Sequence, residues 1–229
     1  LKEKFSNVCD NEYCWLNDYF KKNKINRKIL KSKFSPFHPK SWNIDKNSWL
    51  SSTDIIKVMK VYENKYKNFN FIGPSPIDFD TKLDNNICVY NDLCNFNLKK
   101  FIKKNINKIG FIFNTDPHYK SGSHWIALYL DLKNNILFFF DSNGDIIPEQ
   151  VKKLSNKIID QAKDLSIELK YDNNYKFNHQ KSNTECGMYC LYFIITLLTE
   201  YHNTEFFKTN KIKDNYVEKF RKIYYNNPE

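Results

Sequence analysis

Apolar positions recur along this chain with two periods, and the switches between them mark out its elements. Over 14–30, Trp15, Leu16, Tyr19, Phe20, Ile25 and Ile29 fall at helical intervals among lysines. Pro36 and Pro39 interrupt the stretch 31–46, so regular structure is expected to stop there and a domain boundary to fall there. Ser51 precedes Asp54 by three residues and opens a run with Ile55, Ile56, Val58, Met59 and Tyr62, the pattern of a capped helix. Residues 69–79 read as extended and proline-broken, and 92–104 as a short helix.

Three strand-like runs follow at 109–114, 125–132 and 136–140. Only Lys133-Asn134-Asn135 separates the last two, which predicts a tight antiparallel hairpin. Next, 148–165 places Val151, Leu154, Ile158, Ile159 and Ala162 on one helical face, with Pro148 at its start. A strand is expected over 167–171, a buried helix over 187–198, where nearly every residue is apolar, and a final amphipathic helix over 214–225. Strands in the middle with helices around them imply an α+β fold. The domain organisation expected is an N-terminal helical extension over 1–46, packed on a core domain over 47–229.

Composition narrows the class. At 229 residues, 41% hydrophobic and 17% aromatic, the chain has enough apolar material for a real core and is not disordered. It has no apolar run of bilayer length and no signal-peptide pattern, so a soluble globular protein with no membrane partner is expected. Leu1 in place of an initiating Met is expected of a processed or truncated product. The net charge of +10 suits a polyanion, but the lysines accompany abundant Asn, Ile, Phe and Tyr, a bias that AT-rich codons produce. Arg, the better base reader, stands only at Arg27 and Arg221, which leaves a non-specific DNA contact rather than sequence readout. Six cysteines fall at 9, 14, 88, 94, 186 and 190. Cys9 and Cys14 have no matching second pair for zinc, and reduced thiols in a cytosol-like compartment are expected, with no metal and no cofactor.

One constellation carries chemistry. Cys186 stands between the polar loop 181–185 and the start of the apolar helix, where free backbone N–H groups and the helix dipole stabilise a thiolate and an oxyanion. Gly187 beside it leaves room for a substrate backbone. Cys190, one turn on, reads as an ordinary buried cysteine. His124 opens a strand after Ser121-Gly122-Ser123, and Asp141 ends the next. Pairing those strands as a hairpin brings the two ends together, so the carboxylate can orient the imidazole.

These residues resemble a known family. His124-Trp125, Phe140-Asp141-Ser142 and Gln180 six residues before Cys186-Gly187 match the order His, Asp, Gln, Cys of the ubiquitin-like-protein (SUMO) proteases and adenovirus-type proteases. The runs Cys9 to Cys14 and His179 to Gly187 are similar, more narrowly, to the polyprotein-processing proteases of African swine fever virus type in large DNA viruses. The resemblance implies a papain-like cysteine protease fold, a mixed central sheet flanked by helices with the cysteine helix buried. It implies Cys186 as nucleophile, His124 as base, Asp141 as orienting carboxylate, and Gln180 with the Cys186 N–H as oxyanion hole, Asn183 being a second donor candidate. It further implies that Trp49 and Trp125 clamp an extended substrate tail in a channel admitting only Gly-Gly-type sequences. Trp49-Leu50-Ser51-Ser52 departs from the Trp-Leu-Asn-Asp of SUMO proteases.

The expected activity is a thiol endopeptidase that processes viral structural polyproteins during virion maturation, in host cytoplasm (the virus factory) and virion. Removal of host ubiquitin or SUMO by the same chemistry is the alternative. A non-catalytic binding protein with a relic cleft is a third reading, which the complete His, Asp, Gln and Cys set disfavours.

Overall fold

The structure, a computed structural model, describes residues 35–84 and 86–226. The helix expected over 14–30 and the Cys9–Cys14 pair lie outside them. Helix α1 (Ser52–Lys65) starts as its sequence dictates. The Asp54 N–H donates to the Ser51 hydroxyl at 3.3 Å, and the Ser51 N–H donates to the Asp54 carboxylate at 3.1 Å. Ile55, Val58 and Met59 form its buried face.

Five strands follow as one mixed sheet in sequence order: β1 (Phe69–Pro76), β2 (Lys108–Asn114), β3 (Trp125–Asp131), β4 (Ile136–Phe140) and β5 (Lys170–Asn173). The central pairs β2–β3 and β3–β4 are antiparallel, and the two outer pairs are parallel. The hairpin expected at 133–135 joins β3 to β4. Alternate residues serve two cores. Ala127, Tyr129, Phe138 and Phe140 pack against α5 (Cys186–Leu198), while Ile126, Leu128, Leu137 and Phe139 pack against α4 (Glu149–Lys163). A sheet covered on both faces explains why these strands read as continuous apolar runs. Every residue of α5 is buried, because it lies between the sheet and the helices that follow.

Several elements differ from the sequence reading. Residues 69–79 do more than extend: despite Pro74 and Pro76, β1 pairs in parallel with β2 and changes register between Ile72 and Ser75. The helix expected over 92–104 is two, α2 (Asn91–Cys94) and α3 (Leu98–Ile102), the second started by Asn97, whose side chain accepts from the Lys100 N–H. The strand expected over 167–171 is β5, a few residues later. Helix α6 (Phe206–Thr209), which buries Phe207, is not marked by any period. The final helix divides into α7 (Asp214–Glu218) and α8 (Arg221–Tyr224), because the second segment turns to bury Arg221 as well as Tyr224. The expectation of reduced thiols also fails at one pair: Cys88 and Cys94 are joined in a disulfide. The Lys82–Cys88 bridge and α2 fold this short segment back on itself and bring the two cysteines together.

Residues 35–46 join the same body. Phe37 bridges to Asn226, and the Trp42 ring meets the Tyr225 ring edge-on at 5.0 Å.

Candidate active site

Cys186 is the first residue of α5, with Glu185 at the N-cap. Cys186 is buried, and it stands at a helix start, where the first-turn N–H groups have no partner within the helix. Gly187 packs against Leu50 and Trp125, two residues that line the groove. A Cβ there would meet Leu50 Cβ and Trp125 Cδ1 at 3.2 Å each. Its missing side chain lets α5 close on those two residues.

The β3–β4 hairpin does what its register requires. Ala127 pairs with Phe140, so His124, one residue before β3, and Asp141, one after β4, end on the same side. His124 Nε2 lies 2.7 Å from Asp141 Oδ1. The ring also interacts with Cys186, the first residue of α5. Burial opposes a charge on this imidazole. The hydrogen bonds to Asp141 and Cys186, and the negative charge of both, outweigh it and lift the His124 pKa to about 10. The ring is therefore an imidazolium at neutral pH, held by Asp141 through Nε2.

Asp141 is itself held. Its N–H donates to Asn174 Oδ1 at 2.9 Å, and Asn174 Nδ2 donates to its carbonyl at 2.6 Å. The Asn143 N–H donates to its Oδ1 at 2.9 Å. Sequence reasoning missed Asn174, since one Asn in an Asn-rich polar loop carries no signal of its own. It likewise missed Ser142, whose carbonyl accepts from the His179 and Gln180 N–H groups at 2.8 and 2.9 Å. That stitch ties the Asp141 turn to the loop before Cys186. His179 anchors the loop from below: buried among aromatic rings, it takes the Ile212 N–H on Nδ1 and gives its Nε2 proton to the Phe207 carbonyl. Burial pushes its pKa down to about 4, so it is neutral.

Gln180 is buried in this loop. Its Oε1 accepts from Ser142 Oγ at 2.8 Å, and its Nε2 donates to the Ser182 carbonyl at 2.6 Å, which leaves one amide N–H to offer. Asn183 is exposed. Trp125 is nearly buried, and its indole N–H donates to the Leu50 carbonyl at 3.0 Å. Trp49 is 38% exposed. Both rings line a groove of about 580 Å³, together with Ser75, Asn114 and Gly122. The structure thus brings Cys186, His124 and Asp141 together, sets Gln180 in the adjoining loop and puts Trp49 and Trp125 on a groove beside them. Among the described residues, no group of three or more His, Cys, Asp or Glu could hold a metal ion.

The chain is similar to several known proteins. A family model described as the Ulp1 protease family, C-terminal catalytic domain, matches residues 79–229. A candidate thiol protease of Acanthamoeba polyphaga mimivirus is 34% identical over 203 residues, covering 87% of this chain and 64% of that protein. A protein of African swine fever virus named SUMO-1 cysteine protease is 32% identical over 131 residues, covering 53% of this chain and 45% of its own. The chain therefore spans about two thirds of the first relative's length and less than half of the second's. The crystal structure of the African swine fever virus protease matches in fold with a TM-score of 0.77 at 20% identity, covering 99% of this chain and 90% of that one.

Proposed function

The chain belongs to the Ulp1 protease family, and on that premise we propose that it is a cysteine endopeptidase with Cys186, His124 and Asp141 as its catalytic set. The observation that carries the proposal is His124 shared between Asp141, at 2.7 Å, and the Cys186 sulfur at the start of α5. With the thiol proton already resting on His124, the Cys186 thiolate attacks the scissile carbonyl carbon. The resulting oxyanion is met by the Cys186 N–H and by the remaining amide N–H of Gln180. His124 then protonates the leaving amine, which departs and leaves a thioester. Water, deprotonated by the now neutral His124, attacks the thioester carbon; the acid product leaves, and the thiolate is restored beside the protonated ring. Asp141 keeps the ring aligned and favours its charged form.

The groove between Trp49 and Trp125 suits a substrate segment without side chains, so cleavage after Gly-Gly-type sequences is the specificity proposed. The relatives are viral, which supports processing of viral structural polyproteins during virion maturation, in host cytoplasm and virion. Action on a ubiquitin-like modifier is the second reading, favoured by the name of the swine fever virus relative, a SUMO-1 cysteine protease. Non-specific DNA contact through the basic surface is retained as an accessory proposal.

The test is cleavage of a library of Gly-containing peptides by the wild type and by Cys186→Ala. The wild type is expected to cut after Gly-Gly, and the variant to lose at least ~10³-fold in rate. Cleavage that survives in Cys186→Ala sinks the assignment. Rapid labelling of Cys186 by ubiquitin- or SUMO-derived probes would shift the substrate to the second reading.

A further inference from the structure

Arg221 lies where three parts of the chain meet. It is nearly buried, and so is its partner Glu185. Arg221 Nε donates to Glu185 Oε2 at 3.0 Å, and Nη2 donates to Oε1 at 2.7 Å. The far edge of the guanidinium turns to another segment: Nη1 donates to the Ser48 carbonyl at 3.1 Å, and Nη2 also reaches the Asn47 carbonyl at 3.4 Å. Its face lies 4.5 Å over the Trp42 ring.

The partners matter more than their number. Glu185 is the N-cap of α5 and the residue before Cys186. Ser48 is the residue before Trp49, which rims the groove, and two before Leu50, whose carbonyl holds the Trp125 indole. One planar group therefore ties the nucleophile's helix to the wall that faces it. That wall lies outside residues 79–229, the part matched by the family model, and so does Trp42.

We propose that Arg221 is a positioning residue for peptide cleavage, which keeps Cys186 in register with the Trp49 side of the groove. The proposal rests on the protease reading above. Stability alone is a poor account of such a pair, because a buried ion pair is often matched by apolar residues of similar volume. What apolar residues lack is reach. A guanidinium has five N–H donors in a fixed fork, which here serve two carboxylate oxygens and two carbonyls on separate segments. A lysine ammonium has three donors on one atom and does not span both sides.

The experiment compares the wild type with Arg221→Lys and with the double variant Glu185→Gln/Arg221→Met, which removes both charges at once and leaves no lone buried ion. Melting temperature, kcat and KM on a cleaved peptide, and the NMR titration of the His124 ring are measured. The groups facing that ring are Asp141 and Cys186, so its titration reports whether the sulfur is still in place, without any substrate. The double variant is expected to melt within a few degrees of the wild type. It should lose at least ~10-fold in kcat/KM with a rise in KM, and its His124 should titrate lower by about one pH unit. Arg221→Lys should show the same losses to a lesser degree. Wild-type KM and wild-type His124 titration in a folded variant would overturn the proposal and leave Arg221 a stabilising residue. If the double variant does not fold, Arg221→Lys decides by the same two readouts. Should the wild type cut no peptide, the protease reading fails while the titration still judges Arg221.

Discussion

At the scale of single residues, the site is governed by how His124 keeps its proton. Burial favours the neutral ring, yet Asp141 and Cys186 together hold the charged form up to about pH 10. The imidazolium must later protonate the leaving amine, so activity should be retained at neutral pH and lost as pH rises through about 10. A pH profile of kcat/KM on a cleaved peptide checks this, and an alkaline limb near 7 would contradict it. Asp141→Ala removes the first hydrogen bond and its charge while burial persists. The alkaline limb should then slide toward neutrality, with a loss of roughly 10²-fold or more at pH 7. Residue identity and order announced these three groups. Asn174, which grips Asp141 from 33 positions away, was not legible, because nothing local distinguishes it from its neighbours.

At the scale of elements, local chemistry set the starts and periods set the lengths. The capping box at Ser51 and Asp54 was visible in four residues, because caps are satisfied within one turn. Ser51→Ala should cost about 1 kcal/mol and lower the melting temperature by about 2–4 °C. An unchanged melting curve would mean that the α1 start is held by its neighbours alone. The hairpin of β3 and β4 was equally legible, and its register delivered His124 and Asp141 to one end. Periodicity failed where an element changes partners: 214–225 keeps a helical pattern throughout but breaks so that α8 can bury Arg221. Gly187, next to a nucleophile, invites a substrate reading, and only the packed positions of Leu50 and Trp125 show what fills its side.

At the scale of the whole molecule, the site is assembled from segments far apart in sequence. The sheet carries His124 and Asp141, α5 brings Cys186, and the stretch ahead of α1 brings Trp49 and Leu50. Residues 35–46 contribute through Trp42, stacked beneath Arg221 and against Tyr225. Trp42→Ala should cost roughly 3 kcal/mol, read as a shift in the denaturant midpoint at constant slope. A midpoint equal to the wild type would show that this stretch packs without contributing to the fold's stability.

The amino-acid sequence alone determined the α+β class, most element starts and the order of the chemical groups, since each depends on neighbours within a turn or on the kind of side chain present. Tertiary structure alone decided that Asn174 grips Asp141, and that the Arg221 guanidinium joins Glu185 to the Ser48 carbonyl, 173 positions before the arginine. Such contacts arise from the closure of long loops around a shared core, and a one-dimensional pattern holds no record of where those loops close.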